Sequence, residues 1–355
     1  MSLKTFFYTG HFQLESGKWL PELQIGYHTY GCLNEHKNNV VWVCHALTAN
    51  SDVLEWWPGL FGDDALFNPQ EHYIVCANIL GSAYGTTNPL SIDPQTTQPY
   101  YLNFPQFTIR DMVKAHRLLA THLEIENIEI LIGGSLGGQQ ALEWAVDEPK
   151  KIKKLVVMAT NAFHSPWGIA FNESQRLCIE ADASFFSPNP EGGKKGLKAA
   201  RSLALLSYRS YQTYALTQAE NDLQKTDQFN ASSYQAYQGE KLVKRFNSFS
   251  YWYLSKAMDS HHLGRNYSSA EEALAKITAR TLVVAVESDL LFPPAEQEYL
   301  AKNISDASFM QIKSLFGHDG FLIETEALSK IIRSFLKQSI TEKRTALYRT
   351  AQYDD

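Results

Sequence analysis

Ser135, Asp289 and His318 are spread over the chain, yet together they have the functional groups needed to make a serine nucleophilic. Ser135 sits in Gly133-Gly134-Ser135-Leu136-Gly137, which fits the pattern G-x-S-x-G. An apolar run at 128–132 precedes it and a helical pattern at 139–146 follows. A strand, a tight glycine-flanked turn and a helix are the setting in which this motif exposes its serine. The turn is strained, and side chains beside the serine would collide with the neighbouring strand and helix, so glycines are needed there. The N-terminus of the following helix also favours negative charge near Ser135. A glycine-rich turn can instead serve close packing or phosphate binding, but the flanking strand and helix favour a nucleophile.

A serine hydroxyl reacts poorly until a base takes its proton, and the base needs a carboxylate to orient it. With this motif the expected chain order is Ser, Asp, His. Asp289 closely follows an apolar run at 281–286, and His318 follows one at 308–312, in the turn Phe316-Gly317-His318-Asp319-Gly320. Glu287 and Asp319 are rival carboxylates. Asp289 is preferred because Leu290, Leu291 and Phe292 can anchor its loop against a core. The alkoxide that develops during acyl transfer needs two backbone N–H donors. Leu136, next to the nucleophile, is expected to supply one. The loop Cys44-His45-Ala46-Leu47-Thr48-Ala49-Asn50 is expected to supply the other, through the Leu47 N–H. His45 is expected to bond that loop rather than to react.

These groups need a frame. Strand-length apolar runs occur at 40–43, 73–77, 128–132, 155–158, 281–286 and 308–312. Their continuity suits strands buried on both faces, and helical patterns at 109–123 and 136–146 lie between them. The alternation predicts an α/β fold with a mostly parallel sheet and helices on both faces. Between about 161 and 276 the pattern turns to aromatic-rich helical segments at 174–183, 196–208 and 242–258. This predicts a core domain made of 1–160 and 277–355, with 161–276 as an inserted helical lid. The loop 81–106, with four prolines, is too long for a plain connector and is expected to line the site.

A chain of 355 residues with 44% hydrophobic side chains has room for such a domain and its insertion. Its net charge of −6 argues against nucleic acid or an anionic membrane as partner. The basic run 150–154 reads as a solvated helix-to-strand turn with Ile152 pointing inward. The first ten residues have no apolar core of a signal peptide, and no stretch of roughly eighteen apolar residues occurs, so a cytoplasmic location is expected. Cys32, Cys44, Cys76 and Cys178 show no CxxC pairing and are expected to be reduced thiols. His261 and His262 are adjacent rather than one helical turn apart, and no metal site is expected. The polar tail after Gln338 is expected to fray.

Three segments together resemble the homoserine O-acetyltransferase family: residues 45–50 (HALTAN), 133–138 (GGSLGG) with 140–144 (QALEW), and 317–322 (GHDGFL). The likeness runs in order over nearly the whole chain and includes 78–81 (NILG), 196–201 (GLKAAR), 206–209 (LSYR) and 246–253. The resemblance implies an α/β-hydrolase fold. It also implies transfer of an acetyl group from acetyl-CoA, as co-substrate, to the side-chain hydroxyl of L-homoserine through an acetylated Ser135. The product would be O-acetyl-L-homoserine for methionine biosynthesis, and no cofactor would be bound permanently. The family's acceptor-binding residues map onto Arg201 and Tyr208 for the carboxylate and Asp319 for the ammonium. A guanidinium fork suits a carboxylate, and an acidic group suits an ammonium. The resemblance further implies a homodimer joined through the helical lids. Two segments depart from the family's usual Thr-Gly-Asn and Gly-Ser-Thr-Gly-Pro: Thr48-Ala49-Asn50 and Gly85-Thr86-Thr87-Asn88-Pro89, both expected near the acyl pocket. A succinyl donor, a serine acceptor, and water as acceptor in an esterase-type hydrolase are the alternatives. A binding protein on the same fold would need a dead triad, and here all three members are present.

Overall fold

Apolar runs become strands here because helices cover both faces of the sheet they build. The computed structural model describes residues 2–337, so the tail after Gln338 lies outside the described residues. Eight strands form one sheet: β1 (Lys4–Tyr8), β2 (Leu23–Tyr30), β3 (Val40–Cys44), β4 (Tyr73–Ala77), β5 (Ile128–Gly134), β6 (Ile152–Met158), β7 (Arg280–Val286) and β8 (Ala307–Ile312). Their spatial order is β1-β2-β4-β3-β5-β6-β7-β8. β1 runs antiparallel to β2, and β2 antiparallel to β4. All other neighbours are parallel. Successive side chains of a strand point to opposite faces. Trp42 and Cys44 accordingly enter one buried cluster, while Val41 and Val43 enter the other.

The six expected strands are all present. β1 and β2 are additions that the apolar pattern does not reveal. β1 lies at the sheet edge and is largely exposed, and in β2 the run is interrupted by Gln24, Gly26 and His28. The basic run 150–154 differs from expectation in part. Ile152 is buried, but Lys153 and Lys154 already belong to β6, where Lys154 pairs with Glu129 on the neighbouring strand.

Helices α1 (Ile109–His122) and α2 (Leu136–Asp147) follow β4 and β5. α1 starts at a capping box in which the Asp111 carboxylate accepts from the Thr108 N–H at 3.0 Å. α2 is buried from Leu136 to Val146. Between β6 and β7 come α3 (Pro166–Glu180), α4 (Lys194–Tyr208), α5 (Tyr211–Thr217), α6 (Asn230–Val243) and α7 (Ser248–Asp259). The expected single helix over 242–258 is split. α6 ends at Val243, and the Asn247 side chain accepts from the Ser250 N–H at 2.8 Å, starting α7 with its own cap. α8 (Pro294–Asn303) follows β7, and α9 (Thr325–Lys337) follows β8. The four cysteines are free thiols. Among the described residues no helix is long and apolar enough to cross a membrane.

Candidate active site

The turn from β5 into α2 holds Ser135 at φ 57° and ψ −128°. Such a backbone costs a non-glycine residue about 1–3 kcal/mol and persists only where its surroundings impose it. Here the Ser135 N–H donates to the Met158 carbonyl of β6 at 3.0 Å, and the Ser135 carbonyl accepts from the Thr160 hydroxyl at 2.8 Å. Two of the flanking glycines, Gly133 and Gly137, are required by contact with backbone. A Cβ on Gly133 would lie 2.3 Å from the Gly137 carbonyl oxygen, and one on Gly137 would lie 2.0 Å from that of Cys44.

His318 reaches this turn from the segment after β8. Its Nε2 is 2.9 Å from Ser135 Oγ, and its Nδ1 is 2.7 Å from Asp289 Oδ2. All three residues are buried. Asp289 Oδ1 accepts from the N–H groups of Leu291 and Phe292 at 2.8 and 2.9 Å, which fixes the carboxylate. An ionised carboxylate can only accept, so Nδ1 carries the proton and Nε2 is free to take one from Ser135. Burial works against a charged His318, but the Asp289 carboxylate, with a smaller contribution from Asp319, outweighs it and raises the imidazole's basicity. Neither rival carboxylate takes that place: Glu287 is exposed, and Asp319 Oδ2 lies 3.0 Å from Arg209 Nε.

Leu136 is the first residue of α2, where an N–H has no intrahelical acceptor. Leu47 is buried and lines the same cleft as Ser135. His45 accepts from the Ile79 N–H on Nε2 at 3.1 Å, so its Nδ1–H donates to the Ala46 carbonyl at 2.8 Å. That carbonyl belongs to the same peptide unit as the Leu47 N–H, and the ring thereby fixes the donor's direction. Burial lowers the His45 pKa to about 4, keeping it neutral. Gln140 has a part that sequence reasoning did not assign. Its Nε2 donates to the carbonyls of His45 and Leu136, each at 3.1 Å, while its Oε1 meets His116 Nε2 at 2.9 Å.

A cleft of about 400 Å³ opens over Ser135 and His318. Arg201, Tyr208 and Asp319 all line it, so the three residues expected to bind an amino acid share one cleft with Ser135. Arg201 and Tyr208 stand seven residues apart on α4, two turns along one face. The Arg201 guanidinium lies 5.4 Å from the centre of the Tyr208 ring, whose centre is 5.7 Å from that of His318. Burial raises the Asp319 carboxyl pKa, against the pull of Arg209 and Arg201. Thr48, Ala49 and Asn50 line the cleft as expected. Residues 85–89 are not among its lining: Thr86 and Thr87 instead accept from the N–H groups of Gly26 and Gln24 at 3.0 and 2.8 Å, bracing β2. Contrary to expectation, loop 81–106 supplies none of the cleft's lining; it meets the site through Tyr84, whose hydroxyl accepts from the lining residue Arg245. Sequence reasoning does not single out Arg209 or Arg245, whose partners Asp319, Thr48 and Tyr84 are far away in the chain, nor Lys241 and Trp56, which also line the cleft.

A family model for the alpha/beta hydrolase fold matches residues 39–325. The homoserine O-acetyltransferase of Cyclobacterium marinum is 47% identical over 335 residues, covering 94% of this chain and 95% of that protein. The chain belongs to the homoserine O-acetyltransferase family. The crystal structure of homoserine O-acetyltransferase from Bacillus anthracis superposes with a TM-score of 0.89 at 24% identity, covering 96% of this chain and 98% of that one. The structure of esterase E22 superposes with a TM-score of 0.86 at 23% identity, covering 95% and 100%. At these identities the structural likeness concerns the fold alone. The family's fold thus serves a transferase and an esterase alike, so the acyl acceptor must be argued from the cleft rather than from the scaffold.

Proposed function

We propose that this chain transfers an acetyl group from acetyl-CoA to the side-chain hydroxyl of L-homoserine, giving O-acetyl-L-homoserine for methionine biosynthesis. The carrying observation is that the hydrogen-bonded chain Ser135–His318–Asp289 opens into a cleft lined by Arg201, Tyr208 and Asp319. His318 Nε2 takes the Ser135 proton as Oγ attacks the thioester carbon. The C–S bond breaks, the proton passes from His318 to the departing thiolate, and acetyl-Ser135 remains. His318 then takes the homoserine hydroxyl proton, the new oxygen–carbon bond forms, and Ser135 regains its proton as it leaves. The N–H groups of Leu47 and Leu136 stabilise the oxyanion in each half. Arg201 and Tyr208 hold the acceptor carboxylate, and Asp319 holds its ammonium. No permanently bound cofactor enters this scheme.

We take 161–276 as a lid on a core of 1–160 and 277–355, excluding water so that the bound alcohol outcompetes it. Tyr211, Leu216 and Leu223 are 82%, 68% and 91% exposed within that segment, which supports a homodimer formed through the lids. A cytoplasmic location goes with this biosynthetic role. The test is to load the protein with acetyl from acetyl-CoA, remove the donor, and offer homoserine, serine or buffer separately. Rapid discharge by homoserine alone is expected. Equal loss in buffer would make the protein a hydrolase, preference for serine would change the acceptor, and loading only from succinyl-CoA would change the donor.

A further inference from the structure

We propose that Lys241 and Arg245 form a phosphate-binding rim that holds the nucleotide end of the acyl donor at the cleft mouth. The inference rests on the acetyl-CoA reading above and adds the residues that select that donor.

The cleft has a direction. Ser135 and His318 are buried, Arg201 and Tyr208 are partly buried, and Lys241 and Arg245 are exposed, yet all six line the same space. It therefore runs from the nucleophile out to a pair of cations. At about 400 Å³ it lies near the lower end of ligand pockets, with room for an acetyl group, an amino acid and part of a thioester arm. A nucleotide bearing several phosphates on the far end of that arm must stay at the rim.

The rim has the chemistry to receive it. Arg245 is fixed in place, since its Nη1 donates to the Thr48 carbonyl and to the Tyr84 hydroxyl. Both bonds use one nitrogen, which leaves the Nη2 and Nε donors of the fork for an oxyanion. Lys241 stands four residues earlier, in the last turn of α6. Among the described residues neither cation is paired with a carboxylate. Glu55 also lines the cleft and is exposed, so the phosphates must approach from the Lys241 and Arg245 side. The chain carries a net charge of −6, so attraction for a polyanionic donor has to come from a local cationic patch rather than from the molecule as a whole. Arg201, deeper in the cleft and against the Tyr208 ring, is set apart for the acceptor.

The test compares acetyl-CoA with S-acetyl-N-acetylcysteamine, which has the thioester but no phosphate, at saturating homoserine. The readout is the ratio of kcat/KM for the two donors. K241Q and R245Q should each lower this ratio by about fivefold to tenfold, and the double variant by more. R245K should recover part of the ratio. Added salt should lower the wild-type ratio and leave that of the double variant almost flat. An unchanged ratio in K241Q and R245Q overturns the proposal. So does an equal loss with both donors, which would make Arg245 a brace for the Thr48 loop. Among the described residues Lys241, unlike Arg245, makes no hydrogen bond to that loop, so K241Q separates the two cases. If the wild-type protein accepts acetyl from neither donor, the proposed function fails and the rim falls with it; variants indistinguishable from an active wild type sink the rim alone.

Discussion

The side-chain amide of Gln140 stands 3.1 Å from the His45 carbonyl, although the two residues are 95 positions apart. The same nitrogen bonds the Leu136 carbonyl, so one buried amide ties the loop of one candidate oxyanion donor to the helix of the other. Gln140→Met keeps the volume and removes both bonds. Loss of a whole oxyanion donor costs about 10²–10³ in kcat in a serine protease, and misplacing two should cost about 10- to 100-fold here. Steady-state kinetics with acetyl-CoA, alongside a thermal melt to verify folding, checks this.

The acid limb of activity should report His318. Only the neutral imidazole can take the Ser135 proton, so activity is lost as pH falls through the His318 pKa. Burial opposes charge there, but Asp289 outweighs it, so the limb should lie above the ordinary imidazole value of about 6.5. In Asp289→Asn burial is opposed by the weaker influence of Asp319 alone, and the limb of the residual activity should move to lower pH. A pH profile of kcat/KM for both proteins measures the shift and its sign.

Gly137→Ala should fail structurally. The added carbon would stand 2.0 Å from the Cys44 carbonyl oxygen, a backbone atom of the central strand β3 that cannot swing away. We expect a loss of more than about 3 kcal/mol in urea unfolding, at the upper end for overpacking, or no folded protein.

Arg201→Ala should act mainly on the acceptor. Removing one side of a desolvated charge pair costs about 2–5 kcal/mol, so KM for homoserine should rise by about 30-fold or more. Acetylation of Ser135 by acetyl-CoA should be nearly unaffected. Normal homoserine kinetics in this variant would show that the carboxylate is held elsewhere.

How much of this can be read in the residues depends on whether a signal is local. Ser135, Asp289 and His318 each stand just beyond an apolar strand, and the sheet brings those strand ends together, so pattern alone locates them. β1 escapes because an edge strand is largely solvated, and the break between α6 and α7 escapes because Asn247 caps through a single side-chain bond inside a continuous helical pattern. The pairings of Gln140 with His45 and of Arg209 with Asp319 join residues about a hundred positions apart. Nothing in the local sequence of either partner encodes them.

The central claim, that Ser135 is made reactive by His318 and Asp289, is tested most directly by rapid mixing with acetyl-CoA in the absence of any acceptor. A burst of one free thiol per chain is predicted, with the acetyl group found on Ser135 and the burst absent from Ser135→Ala. Thiol release that persists in Ser135→Ala, or acetyl bound to another residue, would contradict the account.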